Sequence, residues 1–143
     1  MAVKMVINIV LAISSIVLYF FINLKGLIDG PPPTISNFYL TILFLGFWLL
    51  FGAYRGSEQK TSFLVFATVF WGVGLGLSFA SMIIGPSPLV LVTIAFMAPV
   101  NGLNIFEFMR SKLFFGAMFL PLLMAYIGYF VGQRTITKRT TRY

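Results

Sequence analysis

Residues 85–104 read GPSPLVLVTIAFMAPVNGLN, and the interpretation of this stretch decides the predicted fold. Its middle is as apolar as a membrane helix, whereas both ends carry proline and glycine and the far end carries Asn101 and Asn104. The residues between Pro88 and Pro99 cover about 15 Å as a helix, which is half of the hydrocarbon thickness of a bilayer. The stretch therefore predicts either a short element that enters a membrane and returns, or a further crossing.

The composition indicates a lipid-facing protein. Of the 143 residues, 59% are hydrophobic and 9% are charged, whereas soluble domains carry about 25% charged residues. The uncharged runs are long enough to cross a bilayer as helices. They predict an all-α integral membrane protein with four transmembrane helices plus a short re-entrant or half-depth helix; the alternative is five transmembrane helices. The predicted spans are residues 5–24, 37–54, 63–84 and 112–132, with the re-entrant helix at about 87–106.

The organisation along the chain predicts one polytopic membrane domain, residues 1–133, followed by a basic cytoplasmic tail, residues 134–143. With four spans and both termini in the cytoplasm, seven of the ten basic residues lie inside: Lys4, Arg55, Lys60, Arg134, Lys138, Arg139 and Arg142. Five spans divide the ten equally. Because cytoplasmic loops carry an excess of Lys and Arg, the four-span arrangement is favoured. The compact plan predicts a bacterial plasma membrane.

The inventory of reactive side chains is poor for catalysis. The chain has no cysteine and no histidine, which removes the thiolate nucleophile, the usual general base and the commonest metal ligand. The acidic residues are Asp29, Glu58 and Glu107. We therefore predict a protein that is not an enzyme and that has no metal or cofactor.

Two rows of small residues predict close helix packing. Gly72, Gly76 and Ala80 follow one another at intervals of four, and Gly128 and Gly132 have the same spacing. Small side chains let a second backbone approach a membrane helix closely. For the first row the partner is either another helix of this chain or another subunit.

The richest polar cluster is NGLNIFEFMRSK, residues 101–112. Asn101, Asn104, Glu107 and Arg110 recur every three residues, and they are the candidate ligand-binding residues at the mouth of the re-entrant element. The plainer interpretation is an interfacial connector in which Glu107 and Arg110 form an ion pair.

Three smaller features give local expectations. In the first span, Asn8, Ala12, Ser15, Tyr19 and Asn23 share one face, which is expected to turn inward and form interhelical hydrogen bonds. The second span is expected to be capped by Ser36 or Asn37. In a re-entrant element, carbonyl groups freed around residues 95–99 need donors, which Asn101, Asn104 or the polar face of the first span can supply.

The sequence thus favours a non-enzymatic accessory subunit of a larger membrane complex. A small oligomeric transporter or channel is the alternative, and a lipid-acting membrane enzyme ranks third. The expected partners are membrane lipids and either other membrane subunits or identical copies. Nucleic acid is not expected, because the basic tail is not accompanied by a nucleic-acid-binding fold.

Overall fold

A computed structural model describes residues 2–29, 33–85, 88–105, 117 and 119–140. This part of the chain is entirely helical, without a β-strand, as predicted. The α-helices are α1 (Ala2–Asp29), α2 (Ile35–Ser57), α3 (Ser62–Ile84), α4 (Leu89–Met97) and α5 (Phe119–Thr140). A 3-10 helix, η1 (Ala98–Ile105), continues α4 directly.

Two of the described helices are long and apolar enough to cross a membrane. They are Ile35–Ser57, which is α2, and Ser62–Ser81, which is most of α3. Shorter apolar helical segments are Val6–Phe21 and Leu89–Ile105.

The first turn of α2 is capped by Thr34. Its hydroxyl oxygen accepts a hydrogen bond from the backbone N–H of Asn37 (3.4 Å), and the Asn37 Oδ1 accepts one from the backbone N–H of Thr34 (2.9 Å). This reciprocal pair is a capping box, which satisfies two backbone donors at the helix start. The predicted cap at Ser36 or Asn37 was wrong, because Asn37 acts from inside the first turn.

The helices α1 and α2 run antiparallel. The ring of Tyr19 in α1 packs edge-on against the ring of Phe44 in α2, with centroids 4.9 Å apart. Asn8, near the start of α1, accepts a hydrogen bond from Arg55, near the end of α2. The N-terminal part of α1 therefore lies against the C-terminal part of α2, as in an antiparallel pair.

The helices α2 and α3 are also antiparallel, as their short connection predicts, and aromatic side chains fill the space between them. The Trp48 and Trp71 ring centroids lie 5.3 Å apart, and those of Phe51 and Phe63 lie 5.0 Å apart. Trp48, Phe63 and Trp71 are almost completely buried. This aromatic layer forms the main part of the core.

The helices α2 and α5 are in direct backbone contact and run parallel. A Cβ placed on Gly52 would overlap the carbonyl oxygen of Ala125, and a Cβ on Gly56 would overlap that of Tyr129. From the first contact to the second, the residue number rises by four in α2 and by four in α5, so the two helices point in the same direction. Only glycine permits this approach, because any side chain at these positions would displace a backbone.

The same interface is closed from the side of α5 by Gly128 and Gly132. Their missing side chains leave room for the carbonyl oxygens of Leu49 and Ala53, respectively. The structure thus places the second predicted small-residue row against α2. The matching row on α2, Gly52 and Gly56, was missed in the sequence.

The segment α4–η1 enters the bundle and turns back. The Thr93 hydroxyl lies 2.8 Å from that of Ser81, in the last turn of α3, and the ring of Phe96 then reaches Gly74, further toward the middle of α3. Beyond it, Gly102 lies against the carbonyl of Asn37, in the first turn of α2. Because α3 ends where α2 begins, the two ends of α4–η1 lie at the same end of the bundle.

The α2–α5 contact gives a first testable prediction. Gly56→Ala should lower the free energy of unfolding by about 1–3 kcal/mol, since the added methyl group forces the α2 and α5 backbones apart. Gly46→Ala is the matched control, because a Cβ at Gly46 meets no described atom within 4 Å. That control should be neutral or slightly stabilising, owing to the higher helix propensity of alanine. Thermal unfolding in detergent measures both, and equal midpoints would contradict the backbone contact.

Candidate functional site

The predicted polar cluster is only partly within the described residues. Asn104 Nδ2 donates a hydrogen bond to Asn101 Oδ1 over 2.9 Å, and Asn101 is buried. In a 3-10 helix residues three apart lie one above the other, which explains why these two amides pair. Glu107 and Arg110 lie outside the described residues, so the predicted ion pair between them stays a prediction.

The η1 backbone is held by Thr41 of α2. Its hydroxyl donates to the carbonyl of Pro99 (2.8 Å) and accepts from the N–H of Gly102 (3.2 Å). Thr41 is completely buried, so both hydrogen bonds are shielded from water. The donor for the freed carbonyl was expected from Asn101, Asn104 or the first span, and this expectation was wrong for Pro99. One hydroxyl on α2 satisfies both a carbonyl and an amide of the returning segment.

A second polar group lies at the opposite end of the bundle and centres on Arg55. This side chain is 4% exposed. Its Nη1 donates to Glu58 Oε2 over 2.7 Å, and its Nη2 donates to Asn8 Oδ1 of α1. The guanidinium carbon also lies 5.6 Å from the ring centroid of Phe51. A carboxylate, an amide and an aromatic face together compensate for burying the charge.

One nitrogen of this guanidinium is left without a partner in the described part of the chain. Its Nε atom is buried and has no hydrogen-bond partner among the described residues. Lys60, in the turn before α3, lies 4.0 Å from the same Glu58 oxygen, so two cations share one carboxylate. In the sequence, Arg55 and Lys60 give only a topology signal. The signals that could have found the site were the Arg55–Glu58 spacing at i,i+3 and the inward polar face of α1 that carries Asn8.

A cavity of about 740 Å³ opens beside Arg55, and we call it the Arg55 cavity. Its polar end is formed by Asn8, Arg55, Lys60 and Ser62, and its apolar wall by Ile9, Phe63, Val65, Phe66, Val69 and Phe70. The wall lies almost wholly on α3. The Arg55 cavity therefore combines a cationic end with a long apolar surface, which suits an elongated molecule with one anionic end.

The first small-residue row faces away from the described helices at Gly72 and Gly76. A Cβ on Gly72 or on Gly76 meets no described atom within 4 Å, and both residues are exposed. The glycine that faces inward is Gly74, against the ring of Phe96. Both expectations for this row, packing within the chain and packing against another subunit, therefore stay predictions.

Among the described residues, no group of three or more histidine, cysteine, aspartate or glutamate side chains is arranged to hold a metal ion. No protein-family model, curated protein or solved structure matches this chain.

The role of Thr41 gives the second prediction. Thr41→Val keeps the shape of the side chain but leaves the Pro99 carbonyl and the Gly102 amide without their partner, so it should destabilise the fold by about 1–3 kcal/mol. Amide exchange at Gly102 should become faster. Thr135→Val is the control, because that hydroxyl bonds only within α5 on an exposed surface. Thermal unfolding and hydrogen exchange measure the effect; unchanged exchange at Gly102 would show that Thr41 does not hold η1.

Proposed function

We propose that the chain is an integral membrane protein in which α1, α2, α3 and α5 cross the bilayer, and that it serves as a non-enzymatic subunit of a larger membrane complex. Support for the membrane comes from the outer surface. Each described α-helix exposes large apolar side chains, for example Leu18, Leu50 and Ile83, the last two at 71% and 87%. Large apolar side chains exposed on every described α-helix are matched by lipid and not by water.

The helix directions support four crossings with α4–η1 as a re-entrant element. The helix α3 runs antiparallel to α2, whereas α5 runs parallel to it. A chain that leaves α3 and enters α5 therefore starts and resumes on the same side, which requires an even number of crossings between them. The nine residues of α4 cover about 14 Å, too short to cross before the chain turns.

The basic residues support an orientation with both termini in the cytoplasm. The end of the bundle that carries the α2–α3 turn contains Arg55 and Lys60, and both terminal segments extend toward it. The positive-inside rule then assigns this end to the cytoplasm. A bacterial plasma membrane is part of the same proposal.

Cysteine labelling tests this topology on a naturally cysteine-free background. Cysteines at Ser36, Pro88 and Ile105 should react with an impermeant reagent in intact cells. Cysteines at Ser57 and Thr140 should be protected until the cells are opened. Labelling at Thr140 together with protection at Ile105 would establish a fifth crossing and contradict the re-entrant arrangement.

The subunit role rests on one observation, the outward row of α3. Gly72, Gly76 and Ala80 follow at intervals of four, and Gly72 and Gly76 have no helix of the described chain against them. The glycines of α2 and α5 show what such a row does when covered: two backbones come into contact. Lipid cannot make so close a contact with an exposed glycine row, so a helix of another subunit is its expected cover.

The packing of α4–η1 favours a subunit over a transporter whose permeation path follows this element. The inner surface of that element is packed against α2 and α3 through Thr93, Met97 and Val100, which are buried. The Arg55 cavity lies at the opposite end of the bundle from η1. A permeation path along η1 therefore has less support than a docking face on α3.

Gly76→Leu tests the subunit role. The leucine meets no atom of the described chain, so the thermal midpoint of the isolated protein should be unchanged, whereas a stoichiometric partner should be lost from native pull-downs. Gly46→Leu places the same side chain at another open glycine, on α2, and should retain the partner. Mass spectrometry of the material purified in mild detergent gives the readout. A wild-type chain that purifies alone, or a partner that survives Gly76→Leu, would contradict the proposal.

A further inference from the structure

We infer that the Arg55 cavity binds one anionic membrane lipid, with the phosphate of its headgroup between Arg55 and Lys60 and one acyl chain along α3. The inference rests on the proposed membrane embedding of α2 and α3. It is independent of the subunit role, because the lipid and the outward row of α3 involve different residues.

The polar end of the cavity carries positive charge. The described lining includes two cations, Arg55 and Lys60, which lie 2.7 Å and 4.0 Å from the same Glu58 oxygen. The Nε of Arg55 is buried and has no hydrogen-bond partner among the described residues, so it is a donor that the described chain leaves unused. Arginine and lysine are the side chains that most often bind phosphate, the first through its planar array of donors and the second as a point charge.

The apolar wall gives the ligand its second property. From Ser62 at the polar end to Phe70 at the far end, α3 advances about 12 Å. Between these two ends the wall includes Phe63, Phe66 and Val69, whose side chains are all apolar. A small water-soluble anion would fill the polar end only and would leave this surface wet. An acyl chain covers it and places its own apolar surface out of water.

The position of the cavity in the bundle fits the same ligand. Ser62 is the first residue of α3, so the polar end lies where the helix begins and the apolar wall runs from there along the span. In a membrane this order corresponds to headgroup and hydrocarbon. Under the proposed orientation the polar end faces the cytoplasmic leaflet, where anionic lipids attract basic residues by about 1 kcal/mol each.

Native mass spectrometry of the purified full-length chain tests the inference with two probes of equal acyl composition, phosphatidylglycerol and phosphatidylcholine. One phosphatidylglycerol should bind per chain, about tenfold more tightly than phosphatidylcholine. Lys60→Gln removes one cation from a side chain that is 34% exposed, and it should weaken phosphatidylglycerol binding about fivefold without changing the thermal midpoint.

A matched pair of variants tests the acyl-chain part. Val69→Trp fills the wall from an exposed position and should weaken binding of both lipids, whereas Val73→Trp is the control. Val69 and Val73 are 58% and 52% exposed on α3, and only Val69 lines the cavity. The control should bind like the wild type.

Three results would overturn the inference. The first is equal affinity for the two lipids, and the second is binding that neither Lys60→Gln nor Val69→Trp changes. The third is a combined result: millimolar glycerol phosphate displaces the lipid, and Val69→Trp binds the lipid as tightly as the wild type does. That result would assign the site to a water-soluble phosphate. None of these results depends on a protein partner. A failure of the subunit role therefore leaves the lipid result intact, and failed membrane insertion would be detected separately by the cysteine labelling.

Discussion

The contact between the backbones of α2 and α5 determines much of the rest of the structure. At Gly52 and Gly56 the carbonyl oxygens of α5 occupy the space of a side chain, and at Gly128 and Gly132 those of α2 do the same. Such proximity gains dispersion contacts and Cα–H···O interactions, which matter most where lipid provides no hydrophobic drive between helices. Gly52 meets Ala125 and Gly56 meets Tyr129, so this contact holds α5 parallel to α2.

That direction leaves the segment between α3 and α5 with a constraint. It must begin and end at one end of the bundle, and its described part, α4–η1, is apolar. The chain resolves this by entering as α4 and returning as η1. A returning backbone interrupts the regular hydrogen-bond pattern, and its polar groups then need partners from elsewhere. Thr41 of α2 supplies them for Pro99 and Gly102, so the helix that positions α5 also anchors the turn.

The two polar groups at the ends of the bundle each leave one buried atom without a hydrogen-bond partner among the described residues, Asn104 Oδ1 at η1 and Nε of Arg55 at the other end, but they differ in charge and in the space beside them. At η1 the amides of Asn101 and Asn104 pair with each other, and Thr41 is used twice. At the other end, a buried guanidinium is balanced by one shared carboxylate, one amide and an aromatic ring, and it borders a cavity. A charge is costly to bury, and here it is only partly compensated inside the chain. We therefore place the ligand-binding capacity at Arg55, away from the cluster that the sequence indicated.

The sequence by itself determined that the chain is helical and roughly where its helices lie. Apolar runs, flanking polar turns and the prolines around residues 85–104 act locally, because a helix satisfies its own backbone. Even the wrongly predicted helix cap, Ser36 or Asn37, lies only two or three positions from the observed cap, Thr34. Which face of α3 and of α5 turns inward was decided by tertiary structure, whereas the inward face of α1 was predicted from the sequence, and Asn8 and Ala12 on that face are buried. The Gly72 and Gly76 row and the Gly128 and Gly132 row look alike in sequence, but in the described part of the chain only the second has another helix against it. Likewise, Arg55 reads as a surface charge until Asn8 of α1 is brought against it. The selection depends on contacts between residues far apart in the chain, which no local pattern of side chains encodes.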